Sequence, residues 1–248
     1  MTFKKLIGTA LAMSMVAPLA MAEEEDFDAS DMTRASSTAI VGFNNSGDVK
    51  LTGSLSYGFD NGQTAMTLAE STMDNEGNYK DARLQYFHVF NIDSATTPRI
   101  AASVDMINNE MFTSAAVGAI AMIRTSSDSL TFFARGAVLG GAFDENFANE
   151  YGVDDTSAVG GSAALYAVWK TGEDGTFIAA YPELTYLGGD LELSTVKTTL
   201  MVSTPLSADG KRWGQVKFEN TTGTIESDSR KTEMAGGTSV WFNYKVFF

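Results

Sequence analysis

The chain has 248 residues, with 17 Lys+Arg against 31 Asp+Glu, a net charge of −14 at pH 7 and no cysteine. Such acidity argues against a nucleic-acid partner, which demands a basic face. The missing cysteines exclude disulfide staples, thiolate metal sites and a lipid-anchored N-terminal cysteine.

Lys4 and Lys5 precede an apolar run from Leu6 to Leu19, and Ala20-Met21-Ala22 fits the small-x-small cleavage pattern. Residues 1–22 therefore read as a Sec signal peptide cleaved near Ala22, the apolar run being too short to span a membrane. No later stretch approaches 18 consecutive apolar residues, so no membrane-crossing helix is expected. Residues 23–34, EEEDFDASDMTR, form an acidic lead without periodicity and are expected to be a periplasmic tail.

From Ala35 onward the chain breaks into twelve strand-like runs bounded by turn signals. The second, Asp48–Phe59, alternates Val49, Leu51, Leu55 and Tyr57 with Lys50, Thr52, Ser54 and Ser56. It ends on Asp60-Asn61-Gly62, a tight hairpin turn. The fourth (Lys80–Asn91) and fifth (Arg99–Met106) alternate as cleanly, whereas Ala and Gly blur both faces of the sixth to eighth. The longest interruption is 142–157, which holds Asp144, Glu145, Glu150, Asp154 and Asp155. These acids lack the ligand spacing of a dedicated calcium loop and read as a solvated loop. With an even number of strands, the connections 72–79, 142–157 and 223–233 are expected to be the longest and to share one side. The short turns 60–62, 92–98, 125–129, 171–175 and 205–212 share the other.

The last run, MAGGTSVWFNYKVFF (234–248), places Val240, Phe242, Tyr244, Val246 and Phe248 on one face and Ser239, Asn243 and Lys245 on the other. An alternating strand ending on Phe resembles the last strand of Gram-negative outer-membrane β-barrels. The resemblance covers about Ala35 to Phe248 at the level of architecture and end signals, and the porin-type channels are the most compatible group. It implies an all-β, transmembrane, antiparallel up-and-down barrel of about twelve strands over 35–248, set in lipid and lipopolysaccharide. It also implies that Tyr244, Val246 and Phe248 serve as the signal for the barrel-assembly machinery. At twelve strands rather than sixteen, the chain departs from the general porins, which leaves monomer and trimer both open. Residues 142–157 are the candidate for an inward-folded constriction loop.

In such a barrel a cation facing lipid costs about 2–4 kcal/mol at the midplane, so charged strand positions must face the interior. The candidate pore-lining residues are Lys50, Arg83, Arg99, Asp105, Arg135, Glu183, Lys197, Lys217, Glu219 and Lys245, with Asp81 beside them. Cations outnumber carboxylates in this set, which predicts a weakly basic lumen favouring small anions or zwitterions. Tyr57, Phe59, Tyr86, Phe90, Phe242 and Tyr244 read as interfacial girdle residues. Phe133, Tyr181, Trp213 and Trp241 fall on the inner parity and read as interior packing rather than a sugar-stacking track. The lone histidine, His88, shares the parity of Leu84 and Tyr86, facing lipid. Outer-membrane phospholipases and proteases use a histidine, but Val89 and Phe90 follow His88 where the phospholipase pattern has serine and asparagine. No cofactor, metal or nucleotide motif appears. The reading is a non-enzymatic channel for passive diffusion of ions and small hydrophilic solutes. The alternatives are a sealed structural or adhesive barrel acting through 142–157 and 223–233, and an outer-membrane hydrolase using His88.

Overall fold

The computed structural model describes residues 28–248. The leader expected over 1–22, and residues 23–27 of the acidic lead, lie outside the described residues. The described chain forms one closed antiparallel barrel of twelve strands, each bonded to its sequence neighbours. These are β1 (Thr38–Asn44), β2 (Val49–Gly58), β3 (Thr64–Met73), β4 (Tyr79–Asn91), β5 (Arg99–Asn109) and β6 (Phe112–Arg124). Then follow β7 (Leu130–Phe143), β8 (Ser157–Lys170), β9 (Phe177–Gly188), β10 (Leu191–Pro205), β11 (Arg212–Ser227) and β12 (Arg230–Phe247). A short helix, α1 (Glu145–Glu150), lies between β7 and β8.

Closure is made by β1 against β12, in register from Thr38↔Phe247 to Asn44↔Trp241. It removes the sheet edges that would otherwise leave a row of backbone groups unpaired, which no strand in lipid tolerates. The apolar-aromatic face of the C-terminal strand points outward, with Phe242, Tyr244 and Phe248 all exposed. So do Val41, Leu55, Tyr57, Leu84, Val104, Val117, Val138, Leu165, Leu184 and Leu200, the matching positions of nine other strands. This continuous apolar outer band is what a lipid solvent selects and water does not.

Two local irregularities matter for the interior. Pro182 has no N–H to donate, and the β8–β9 register is interrupted between Ala164↔Glu183 and Ala167↔Ala180. On β11–β12 the register shifts between Thr221 and Gly223, a bulge that lets Thr221 face Gly237 but sets Gly223 opposite Met234. One extra residue on β12 exchanges its two faces above that point. Arg230 at the strand's tip thereby turns inward.

The expected loop pattern is corrected at one end. Around 72–79 only residues 74–78 are outside strands, and 223–233 is almost wholly strand, because Ile225 continues the inward alternation and the hairpin closes at Asp228-Ser229. Connections 110–111 and 189–190 are equally tight. Only 144–156 is long. At the opposite end, where the chain enters β1 and leaves β12, the turns 59–63, 92–98, 125–129, 171–176 and 206–211 lie close to their expected places. We call this the near end and the other the far end.

Candidate functional site: the barrel interior

The inner face carries a belt of alternating charge. Lys50 on β2 sits 3.3 Å from Glu70 on β3. Arg83 on β4 donates from Nε and Nη2 to Asp105 Oδ1 on β5, at 2.8 and 2.6 Å. Arg135 on β7 lies 3.6 Å from Asp105 and 3.4 Å from Glu183 on β9. Lys197 on β10 and Lys217 on β11 flank Glu219 at 3.3 and 2.9 Å. Strands β5, β7 and β9 are not neighbours, so Arg135 reaches both carboxylates only across the interior, which fixes the face. Each cation is set against a carboxylate, the arrangement that makes buried charge tolerable.

Among the predicted residues, the structure brings together Lys50, Arg83, Asp105, Arg135, Glu183, Lys197, Lys217 and Glu219. Glu70 was not singled out from the sequence, although Met66, Leu68, Glu70 and Thr72 alternate inward. It lowers the expected excess of positive charge, leaving five cations and four carboxylates in the belt. Arg99 stands apart at the near end, paired with Asp31 of the lead. Lys245 lies over the Phe247 ring at 4.2 Å and has no carboxylate partner among the described residues. Asp81 sits opposite Thr72 and Asn109, outside the belt. Trp241 lies 4.9 Å under Lys50, and Tyr181 packs on Tyr166 with ring centroids 4.7 Å apart.

Apolar clusters line part of the interior at both ends. At the near end Phe133, Val168, Phe177, Met201, Trp213 and Phe247 form an apolar cluster, with Ala29 and Met32 of the lead packed against it. A second cluster joins Met66, Phe87, Val89 and Ala101, with Ala35 against it. The lead is thus folded into the mouth over residues 28–34 rather than extended beyond it, with Ser30 at 4 % and Thr33 at 0 % exposure. Asp28 pairs with Lys170 at 2.8 Å. Burial opposes charge on this carboxylate, but the hydrogen bonds from Lys170 and Ser30 outweigh it and hold the Asp28 pKa below the usual range.

At the far end residues 144–156 fold inward. Asp144 caps α1, its carboxylate accepting the N–H groups of Asn146 and Phe147. Gly152, at φ 70°, turns the chain back after the helix. Ala148, Tyr151 and Val153 then pack on Leu139, Phe143, Leu187, Leu191, Leu193 and Ile225 of the wall. The tip of β11–β12 clamps the loop. Ser227 and Ser229 donate to the Tyr151 carbonyl at 3.1 and 3.3 Å, and Arg230 donates to the Glu150 carbonyl at 3.2 Å while lying 4.9 Å over the Tyr151 ring. Asp144, Glu145, Glu150, Asp154 and Asp155 are all exposed as expected, and two of them also take structural hydrogen bonds, Asp144 at the helix and Asp155 from the Ser157 N–H at 2.9 Å.

His88 is on the outer face. Its ring nitrogens contact Tyr86 Oη at 3.2 Å and Gln63 Oε1 at 2.7 Å, and its ring packs between Phe59 and Phe90. With both nitrogens engaged there, the histidine is a member of the aromatic girdle on the outer face.

No protein-family model matches the sequence, and no curated protein sequence does either. Solved structures do match in fold. The NanC porin superposes with a TM-score of 0.61 at 10 % identity, over 86 % of this chain and 100 % of that one. An outer-membrane channel of Pseudomonas putida F1 gives 0.56 at 12 %, over 90 % and 100 %. The KdgM porin gives 0.52 at 10 %, over 86 % and 99 %. The architecture is therefore that of small porin-type outer-membrane barrels.

Proposed function

We propose that this barrel is an outer-membrane channel of a Gram-negative bacterium, passing ions and small hydrophilic solutes by passive diffusion after a leader is removed near Ala22. The near end faces the periplasm in this reading, and the outward Tyr244, Val246 and Phe248 present the strand read by the assembly machinery. The observation that carries it is the charged belt lining a barrel whose outer face is apolar. Polar walls suit hydrated solutes, and rings of side-chain charge bias which ones cross. One extra cation in the belt gives a weak preference for anions. The near-complete pairing argues for small ions and zwitterions rather than a long polyanion, although KdgM has been solved with an oligogalacturonate.

A second reading is favoured by the fully buried Phe133, Phe177, Leu187, Leu191 and Leu193 on the inner wall. It makes the barrel a sealed structural or adhesive unit that acts through the clamped 144–156 loop. Single-channel recording of the refolded protein in a planar bilayer, with reversal potential in a salt gradient, separates the two. Discrete steps with a small anion preference are expected. A silent barrel that still shows heat-modifiable migration on a gel would leave only the sealed reading.

A further inference from the structure

We propose that residues 28–37 form a strap across the near-end mouth that gates the channel, latched by Asp28 to Lys170 and by Asp31 to Arg99. This rests on the channel reading above. The strap begins at the near end of β8, where Asp28 meets Lys170. It touches β5 through Asp31 and Arg99, with the Asp31 side chain only 4 % exposed. It arrives at β2, where Ser54 donates to the Ser36 carbonyl at 2.8 Å. In a ring of twelve strands, β8 and β2 stand diametrically opposite.

Chain reach permits the crossing. Twelve strands about 4.8 Å apart, tilted by about 40°, give a circumference of roughly 75 Å, hence a half-circumference of roughly 38 Å and a diameter of roughly 24 Å. Two successive turns, Asp31 N–H to Asp28 carbonyl and Arg34 N–H to Asp31 carbonyl, shorten the strap. Each turn covers less than about 7 Å, so residues 28 to 36 span no more than roughly 21 Å. With the side chains of the latch added, that spans the distance between opposite walls, and on the way the strap packs against both near-end apolar clusters, Ala29 and Met32 on one and Ala35 on the other. The strap crosses the opening.

Its attachment is made for a reversible contact. Apolar burial is limited to the small Ala29 and Ala35 and the flexible Met32, and the Asp28–Lys170 pair keeps more than a third of each side chain in solvent. A pocket lined by Asp28, Asp31, Arg99, Arg124 and Lys170 lies beside the strap, next to its latch.

Three forms of the refolded protein test this in planar bilayers: the parent, Asp28→Asn with Asp31→Asn, and Asp28→Cys with Lys170→Cys joined by a short bismaleimide. The chain has no native cysteine, so the bridge is unique. The double Asn variant is expected to raise mean conductance at least threefold, and the bridged form to hold the low-conductance level. Equal conductance in all three would overturn the gate and leave the channel standing. Failure of the bridge to form in a heat-modifiable barrel would show that the strap does not lie across the mouth. Silence in all three would overturn gate and channel together.

Discussion

Asp105 is the residue whose removal reads the interior most directly. Its side chain is 1 % exposed and receives two hydrogen bonds from Arg83, with Arg135 at 3.6 Å. Asp105→Ala strands both guanidiniums on the inner wall. Breaking a buried pair costs about 3–5 kcal/mol when the partner is left in place. Arg83 and Arg135 retain 31 % and 15 % exposure, and Arg135 keeps Glu183, so water and the second carboxylate recover part of the loss. The expected cost is about 2–4 kcal/mol. Urea titration of refolding into detergent, followed by the heat-modifiable gel shift, measures it. Adding Arg83→Gln removes one of the stranded cations and is expected to restore at least about 1 kcal/mol, a coupling within the range for contacting groups. Asp105→Ala alone adds one net positive charge to the belt, so its reversal potential moves toward anions, whereas the double variant leaves the belt's net charge unchanged. An Asp105→Ala barrel within about 0.5 kcal/mol of the parent, the scatter of ordinary surface substitutions, would refute the claim that this carboxylate holds two cations away from water.

Phe133, at 0 % exposure in the near-end cluster, tests whether that part of the interior is packed: Phe133→Ala is expected to cost about 3–5 kcal/mol in the same titration, and a loss under about 1 kcal/mol would mean a wet wall. The docked strap is expected to respond to acid. The Asp28 pKa is lowered in the folded protein, so its contribution is full above the ordinary Asp value of about 3.9 and is lost only as pH falls through the lower folded value. A spin label on Ser36→Cys should therefore stay immobile from neutral pH down to about 4 and loosen below it. Loosening near pH 6, or an unchanged transition after Asp28→Asn, would refute that assignment.

The belt was legible because period-two alternation combined with a lipid-facing side leaves a strand charge one place to go. That logic located Lys50, Arg83, Arg135, Lys197 and Lys217 without any knowledge of their partners. It failed where the period itself fails. The lead, EEEDFDASDMTR, has no alternation, so nothing in it marked Asp28 and Asp31 as latch residues. The bulge between Thr221 and Gly223 reverses the faces of upper β12, which hid Arg230 as the clamp on Tyr151. Residues 223–233 resemble a polar loop because strand ends rising beyond the membrane need no apolar outer face.

Taken alone, the sequence determined the strand number, the two faces of the cleanly alternating strands and the outward apolar face of the last strand from Val240 to Phe248, all consequences of local geometry repeated along one chain. The ion pairs, the inward fold of 144–156 and the strap across the mouth were decided only by closure of the barrel. Arg135 meets Asp105 and Glu183 across strands that are not hydrogen-bonded neighbours of its own, and a distance measured across an enclosed space has no signature in the spacing of residues along the chain.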